Sequence, residues 1–140
     1  MLILLGIACF RTHEYKEGEQ ALTQANIYDP LNGEVWGYLA LLALHDGGRM
    51  VQAHQALREM LKCELKNNDL LEEIADKLSS INKTELAETL YKKLLDNWQA
   101  NNNSLQNNIG VVYSKLAKIY HTEERLLEAR LYYTEALKFL

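Results

Sequence analysis

Apolar residues recur three and four apart along most of this chain, the spacing of one helical face. The pattern is clearest between Gly33 and Leu61. Trp36, Leu39, Ala40 and Ala43 form one stripe, and Ala53, Leu57 and Met60 form a second. Between them His45–Arg49 (HDGGR) breaks the pattern with two glycines, a turn between two back-to-back helices. The same reading predicts helices near 1–12, 15–27, 34–45, 50–64, 69–80, 84–98, 105–121 and 124–139. Asp29-Pro30-Leu31-Asn32 reads as a connection, because Pro30 cannot continue the helix before it. Asn82, with Glu85 three residues on, reads as a capping box that starts the sixth helix.

Laid over the rest of the chain, the central pair repeats four times. Leu2, Leu5, Gly6 and Cys9 match its first stripe, and Gly18, Leu22 and Ala25 its second. Leu71, Ile74, Ala75 and Leu78 are followed by Ala87, Tyr91 and Leu94; Tyr113, Leu116, Ala117 and Tyr120 by Ala129, Tyr133 and Ala136. Leu2 to Trp36 is 34 residues and Trp36 to Leu71 is 35, the GG turn carrying the extra residue. Small residues at Gly6, Ala40, Ala75 and Ala117 let paired helices approach, and Leu2, Trp36, Leu71 and Tyr113 plug the space between pairs. The period and the pattern W-x2-L-G-x2-Y…A-x3-F resemble the tetratricopeptide family. The resemblance implies an all-α solenoid of four helix-turn-helix repeats, about 1–32, 33–67, 68–99 and 104–140, forming one domain.

Leu71 to Tyr113 is 42 residues, and the excess sits in WQANNNSLQNN. It is expected as an Asn-rich insert at 99–103, a short loop followed by a helix lengthened from Ser104, with Asn103 or Ser104 as cap. The chain starts inside a first helix and stops after a second, with no polar capping helix. Terminal repeats normally need caps, so a piece of a longer protein is expected.

Composition narrows the function classes. The apolar content of 48%, charged content of 24% and single proline are those of a helical globular chain. The net charge of −4 argues against a nucleic-acid partner. MLILLGIACF lacks a basic flank and a cleavage site, is too short to span a bilayer, and falls in register with the repeat, so no membrane partner is expected. Cys9 and Cys63 offer neither a disulfide framework nor metal spacing, and a reducing, cytoplasmic setting is the default. Asn82-Lys83-Thr84 and Asn102-Asn103-Ser104 match the glycosylation pattern by chance. No catalytic or phosphate-binding motif is present, the four histidines are scattered, and no enzyme activity or cofactor is expected.

In the tetratricopeptide family the first helices line a concave groove. Carried over, that places Ile3, Leu4, Ile7 and Phe10, then Tyr38, Leu41 and Leu44, on an apolar first half. Glu72, Glu73 and Asp76 form an acidic third quarter, and Ser114, Lys115, Lys118 and His121 a basic last quarter. Helices apolar all round are normally covered, here either by preceding repeats or by a partner helix or extended segment in the groove. Some members of the family clamp a C-terminal carboxylate with basic and amide residues. The matching positions here, Ile3, Ile7, Tyr38, Asp69 and Glu73, would repel one. A-N-x-x-x-P-x-N-x-E-V-W-x-Y-L-A-L, from Ala25 to Leu41, carries a narrower resemblance, over about 17–78, to the C-terminal repeats of a cilia- and flagella-associated family. It implies a protein-binding scaffold in a motile axoneme or another cytoskeletal assembly. The alternative is an adaptor or co-chaperone that binds an apolar peptide reversibly.

Overall fold

Alanine, leucine, glutamate and lysine favour helix, and helix is what the chain forms. A computed structural model describes residues 1–45, 47, 49–63, 65–101 and 106–139, with residues 100, 101, 106 and 107 as backbone only. Among the described residues there are eight helices: α1 (Leu2–Arg11), α2 (Tyr15–Tyr28), α3 (Gly33–His45), α4 (Met50–Lys62), α5 (Asn68–Ser80), α6 (Thr84–Asn101), α7 (Gln106–Thr122) and α8 (Leu126–Leu137). The chain forms two compact units, Met1–Leu70 and Leu71–Leu140, whose boundary falls within α5.

Three within-pair turns share one geometry, and the fourth shares its key feature. His13, Gly47, Asn82 and Glu124 adopt φ of 65°, 71°, 64° and 61°, the left-handed region. Just after it, the N–H groups of Glu14, Lys83 and Arg125 donate five residues back, to the carbonyls of Cys9, Leu78 and Tyr120, at 2.8, 2.9 and 2.8 Å. This Schellman closure satisfies carbonyls that a helix end leaves without partners. Asn82 therefore ends α5 and does not cap α6. The carbonyl of Lys83 accepts the first bond of α6, from Ala87 N–H at 3.1 Å, and asparagine is chosen here because it tolerates the left-handed conformation. True asparagine caps stand one repeat apart elsewhere. Asn32 Oδ1 accepts from Glu34 N–H at 3.0 Å at the start of α3, and Asn67 Oδ1 from Leu70 N–H at 3.1 Å at the start of α5. Asn67 Nδ2 also donates to Glu34 Oε1 at 2.8 Å, joining the two starts.

The small-residue slots Gly6, Ala40, Ala75 and Ala117 are all buried. So are the second-helix slots, from Gly18, Leu22 and Ala25 through Ala129 and Ala136; Tyr133 alone among them is exposed. At the α1–α2 crossing, a Cβ on Gly6 would lie 2.5 Å from Leu22 Cγ, and one on Gly18 would lie 3.2 Å from Cys9 Cβ. The large slots behave less uniformly. Leu71 is buried, but Leu2, Trp36 and Tyr113 are half-buried and Leu5 is 54% exposed. The sequence reading places all of these in the core. The correction has a physical reason: spacing sets the face a side chain takes, and burial needs a packed neighbour opposite that face. Trp36 spans the edge, with its indole N–H donating to the Pro30 carbonyl at 2.8 Å.

The expected loop at 99–103 is also corrected in part. Helix α6 continues through Gln99 to Asn101, three residues past the expected end at 98, and α7 begins at Gln106. Residues 102–105, where the rest of that expectation falls, lie outside the described residues.

Candidate protein-docking surfaces

In the first unit the apolar positions of α1 and α3 separate into two classes. Ile3, Ile7 and Phe10 on α1 are half-buried, and Leu4 beside them is 69% exposed. On α3, Tyr38, Leu41 and Leu44 are at most 5% exposed, which contradicts their expected place on an open groove. Nine of the thirteen α3 residues are buried, because this apolar helix packs against α4, α2 and α1 and leaves only an edge with Trp36 and Leu39 partly open.

Aromatic rings close one end of this unit. Phe10 meets Tyr15 and Tyr38 edge-on, with centroids 5.8 and 6.0 Å apart, as the ring quadrupole favours. The Arg11 guanidinium lies 5.4 Å from the Phe10 ring centre and 5.7 Å from that of Tyr38. Tyr15 lies 4.0 Å from the His45 ring, and its hydroxyl shares a 2.6 Å hydrogen bond with His13 Nδ1. On the second-helix side, Arg49 donates to both Glu19 oxygens at 2.6 and 3.2 Å, a bidentate pair between the starts of α2 and α4.

In the second unit the expected acidic and basic quarters meet each other. Lys115 Nζ lies 2.9 Å from Glu72 and 3.0 Å from Asp76, and the Tyr91 hydroxyl donates to Asp76. Burial lowers the Lys115 pKa, but the hydrogen bonds to Glu72 and Asp76 outweigh it and hold the ammonium above its ordinary range. Burial, followed by the same carboxylates, pushes the Tyr91 phenol far up. Glu72, Asp76 and Lys115 thus neutralise one another and do not form two free rims, which corrects the charge-graded groove. Glu73 is half-buried and Lys118 is exposed.

A second network ties α6 to the α7–α8 turn. Glu88 accepts from Tyr120 Oη at 2.5 Å and Lys92 Nζ at 2.9 Å, and Arg125 lies 3.6 Å from its other oxygen and 4.4 Å from the Tyr120 ring centre. Burial raises the Glu88 pKa, yet the bonds from Tyr120 and Lys92 and the charges of Lys92 and Arg125 hold it below the usual carboxylate range. Burial first, and then the bond to Glu88, push Tyr120 up to about 12.

An outer groove of the second unit was not among the positions picked from the sequence. It is lined by Lys92, Leu95, Asp96 and Gln99 of α6, Tyr113 of α7, and Leu131, Tyr132 and Glu135 of α8. Tyr113 stacks on Phe139 at 5.8 Å and tilts against Tyr132 at 5.9 Å. A signal existed: aligning the second helices on Gly18, Ala53, Ala87 and Ala129 puts leucines 127 and 131 where the others carry Lys16/Val51/Glu85 and Gln20/Gln55/Thr89.

Among the described residues, no group of three or more His, Cys, Asp or Glu is arranged to hold a metal ion, and no helix is long and apolar enough to cross a membrane.

The chain is similar along its length to two solved structures. One is a crystal structure of MamA, with a TM-score of 0.75 and 16% identity, covering 99% of this chain and 75% of that one. The other is MamA MSR-1 C2, with a TM-score of 0.67 and 20% identity, covering 99% and 74%. At such identities the likeness is one of fold, and that fold is the all-α solenoid class of tetratricopeptide helix pairs. Cilia- and flagella-associated protein 70 of Macaca fascicularis and of Homo sapiens are each 50% identical over 70 residues, half of this chain. The matched segment is 7% and 6% of those relatives' own lengths. Residues 3–139 match the family described as the cilia and flagella-associated protein 70 C-terminal domain, and to that family this chain belongs.

Proposed function

We propose that this chain is a non-catalytic docking scaffold of a ciliary or flagellar assembly, receiving a helix or an extended segment of a protein partner against its first helices. Helix α1 carries the reading. Of its ten residues, LILLGIACFR, only Gly6 and Cys9 are buried, so Ile3, Leu4, Ile7 and Phe10 keep apolar surface in contact with water. Contiguous apolar surface of this kind marks a protein contact. Membership of a family whose named relatives are cilia- and flagella-associated supports the setting. Ile3 and Ile7, where a carboxylate-binding surface would need basic or amide side chains, favour an apolar or amphipathic partner over a terminal carboxylate.

The test is the double change Ile3→Asp with Ile7→Asp, which spares the buried Leu41 and Leu44. Crosslinking mass spectrometry on the native assembly identifies what lies against α1, and pull-down with the variant reads its loss. Each anchor contributes about 1.5–3 kcal/mol when buried, so losing two abolishes a micromolar complex while the melting temperature holds. Retained partners with a lowered melting temperature would show that further repeats of the same protein cover α1, and would overturn the reading.

A further inference from the structure

We propose that the outer groove between α6 and α8 docks an amphipathic helix of a partner protein, its apolar stripe on Leu127, Leu131 and the half-buried Tyr113 and a lysine or arginine at the end facing Asp96. The surface is distinct from the first-helix face. Leu127 and Leu131 are 81% and 65% exposed, one turn apart on α8. The internal repeat shows what does not cover them. At their positions the other three second helices hold Lys16 and Gln20, Val51 and Gln55, and Glu85 and Thr89, all exposed. Stacking a further helix pair on α8 in the manner of α2 on α3 would bury Tyr133, as Leu22 is buried, and leave both leucines in water. The occupant must therefore lie along the outer face.

The groove's form and charge say what fits. Its walls are α6 and α8, both second helices of a pair, with Tyr113 of α7 between them and Tyr132 beside it. Lys92, Asp96 and Gln99 recur at helical spacing along one wall, and Leu127, Leu131 and Glu135 along the other, the arrangement that receives a helix laid lengthwise. Charge is graded along it. Lys92 at one end is held by Glu88 at 2.9 Å; at the other, Asp96 and Glu135 converge near Tyr113, and Lys138 pairs with Glu135 at 2.9 Å, which leaves Asp96 as the carboxylate for a partner's cation. After burial, these two carboxylates are among the charges that push the Tyr113 phenol above its ordinary range. The C-terminal end of α6 adds the negative pole of its dipole at the same end.

The experiment uses the full chain and, as probe, a peptide of about five helical turns with leucines at i, i+3, i+4 and i+7 and lysines at one end. A scrambled peptide of equal composition is the control. The double change Leu127→Glu with Leu131→Gln installs the residues that α6 and α4 carry at these positions, so circular dichroism and melting should match the parent. Binding of the patterned peptide should fall roughly tenfold or more. Asp96→Lys should weaken it several-fold at low salt, and the same charge reversal at the exposed Glu17 of α2, Glu17→Lys, should not change it. Equal binding of the scrambled peptide, or unchanged affinity in the double variant, overturns the proposal. A melting temperature that drops with the double change makes the leucines structural and overturns it as well. Self-association of the parent that disappears in the double variant would make the occupant a second copy, again against the proposal.

Discussion

Gly6→Ala sets helix propensity against packing, and the two effects have opposite signs. In an isolated helix the change stabilises by about 0.8–1 kcal/mol, because glycine loses more backbone freedom on ordering. In this fold the new methyl would lie 2.5 Å from Leu22 Cγ and 2.7 Å from Leu22 Cδ2, with the Gly18 carbonyl at 3.4 Å. Leu22 is fully buried and cannot rotate into open space. Helix α2 must then move away or Leu22 must leave its rotamer, an overpacking cost of about 1–3 kcal/mol. The expected net effect is a loss of up to about 2 kcal/mol, centred near 1, read by urea unfolding followed by circular dichroism. A double-mutant cycle isolates the contact. Leu22→Ala alone costs about 2–5 kcal/mol, and the methyl that Gly6→Ala introduces partly fills the space it leaves. The pair should therefore cost less than the sum of the singles by about 1 kcal/mol or more. Stabilisation by Gly6→Ala, or strict additivity with Leu22→Ala, would refute the close crossing of α1 and α2.

Glu124→Gly should stabilise by about 0.5–1 kcal/mol, since φ of 61° strains a residue with a Cβ, and Asn82→Gly should gain less; thermal melts of both variants check the order. Trp36→Ala should cost about 1.5–2.5 kcal/mol, below the range for a fully buried aromatic, because the ring is half-exposed and loses only an edge hydrogen bond to Pro30; a loss above about 4 kcal/mol on chemical unfolding would place it in the core. Glu88 has a depressed folded pKa, so its contribution is present above the ordinary 4.5 and is lost as pH falls through the folded value. Tyr120 has a raised folded pKa, so its contribution is complete below 10 and is lost as pH rises toward about 12. Glu88→Gln should flatten the acid limb of a stability-against-pH curve, and Tyr120→Phe the alkaline one; wild-type slopes in both variants would count against the network.

Helix number, type and approximate limits were legible in the chain because each depends on local spacing. Apolar residues three and four apart make a stripe wherever they occur, and a 34-residue period makes the stripes pack in pairs. The small slots were legible for the same reason: Gly6, Ala40, Ala75 and Ala117, 34, 35 and 42 residues apart, take the same place in each pair, and all are buried. Left-handed turn residues were not legible. His13, Asn82 and Glu124 share no chemistry, and the requirement for positive φ comes from closing two helices against each other. Burial of the large residues depended on neighbours as well as on pattern. Leu5 and Ile74 occupy the same slot, yet one is exposed and the other fully buried. The candidate site divides in the same way. The apolar character of α1 can be read from its residues, but the burial of Tyr38, Leu41 and Leu44 comes from the packing of α3 against its neighbouring helices. The charges of Glu72, Asp76 and Lys115 are in the sequence, whereas their mutual neutralisation needs residues up to 43 apart to be brought within 3.0 Å. Spacing along a chain specifies which face a residue occupies; what lies opposite that face is set by tertiary packing.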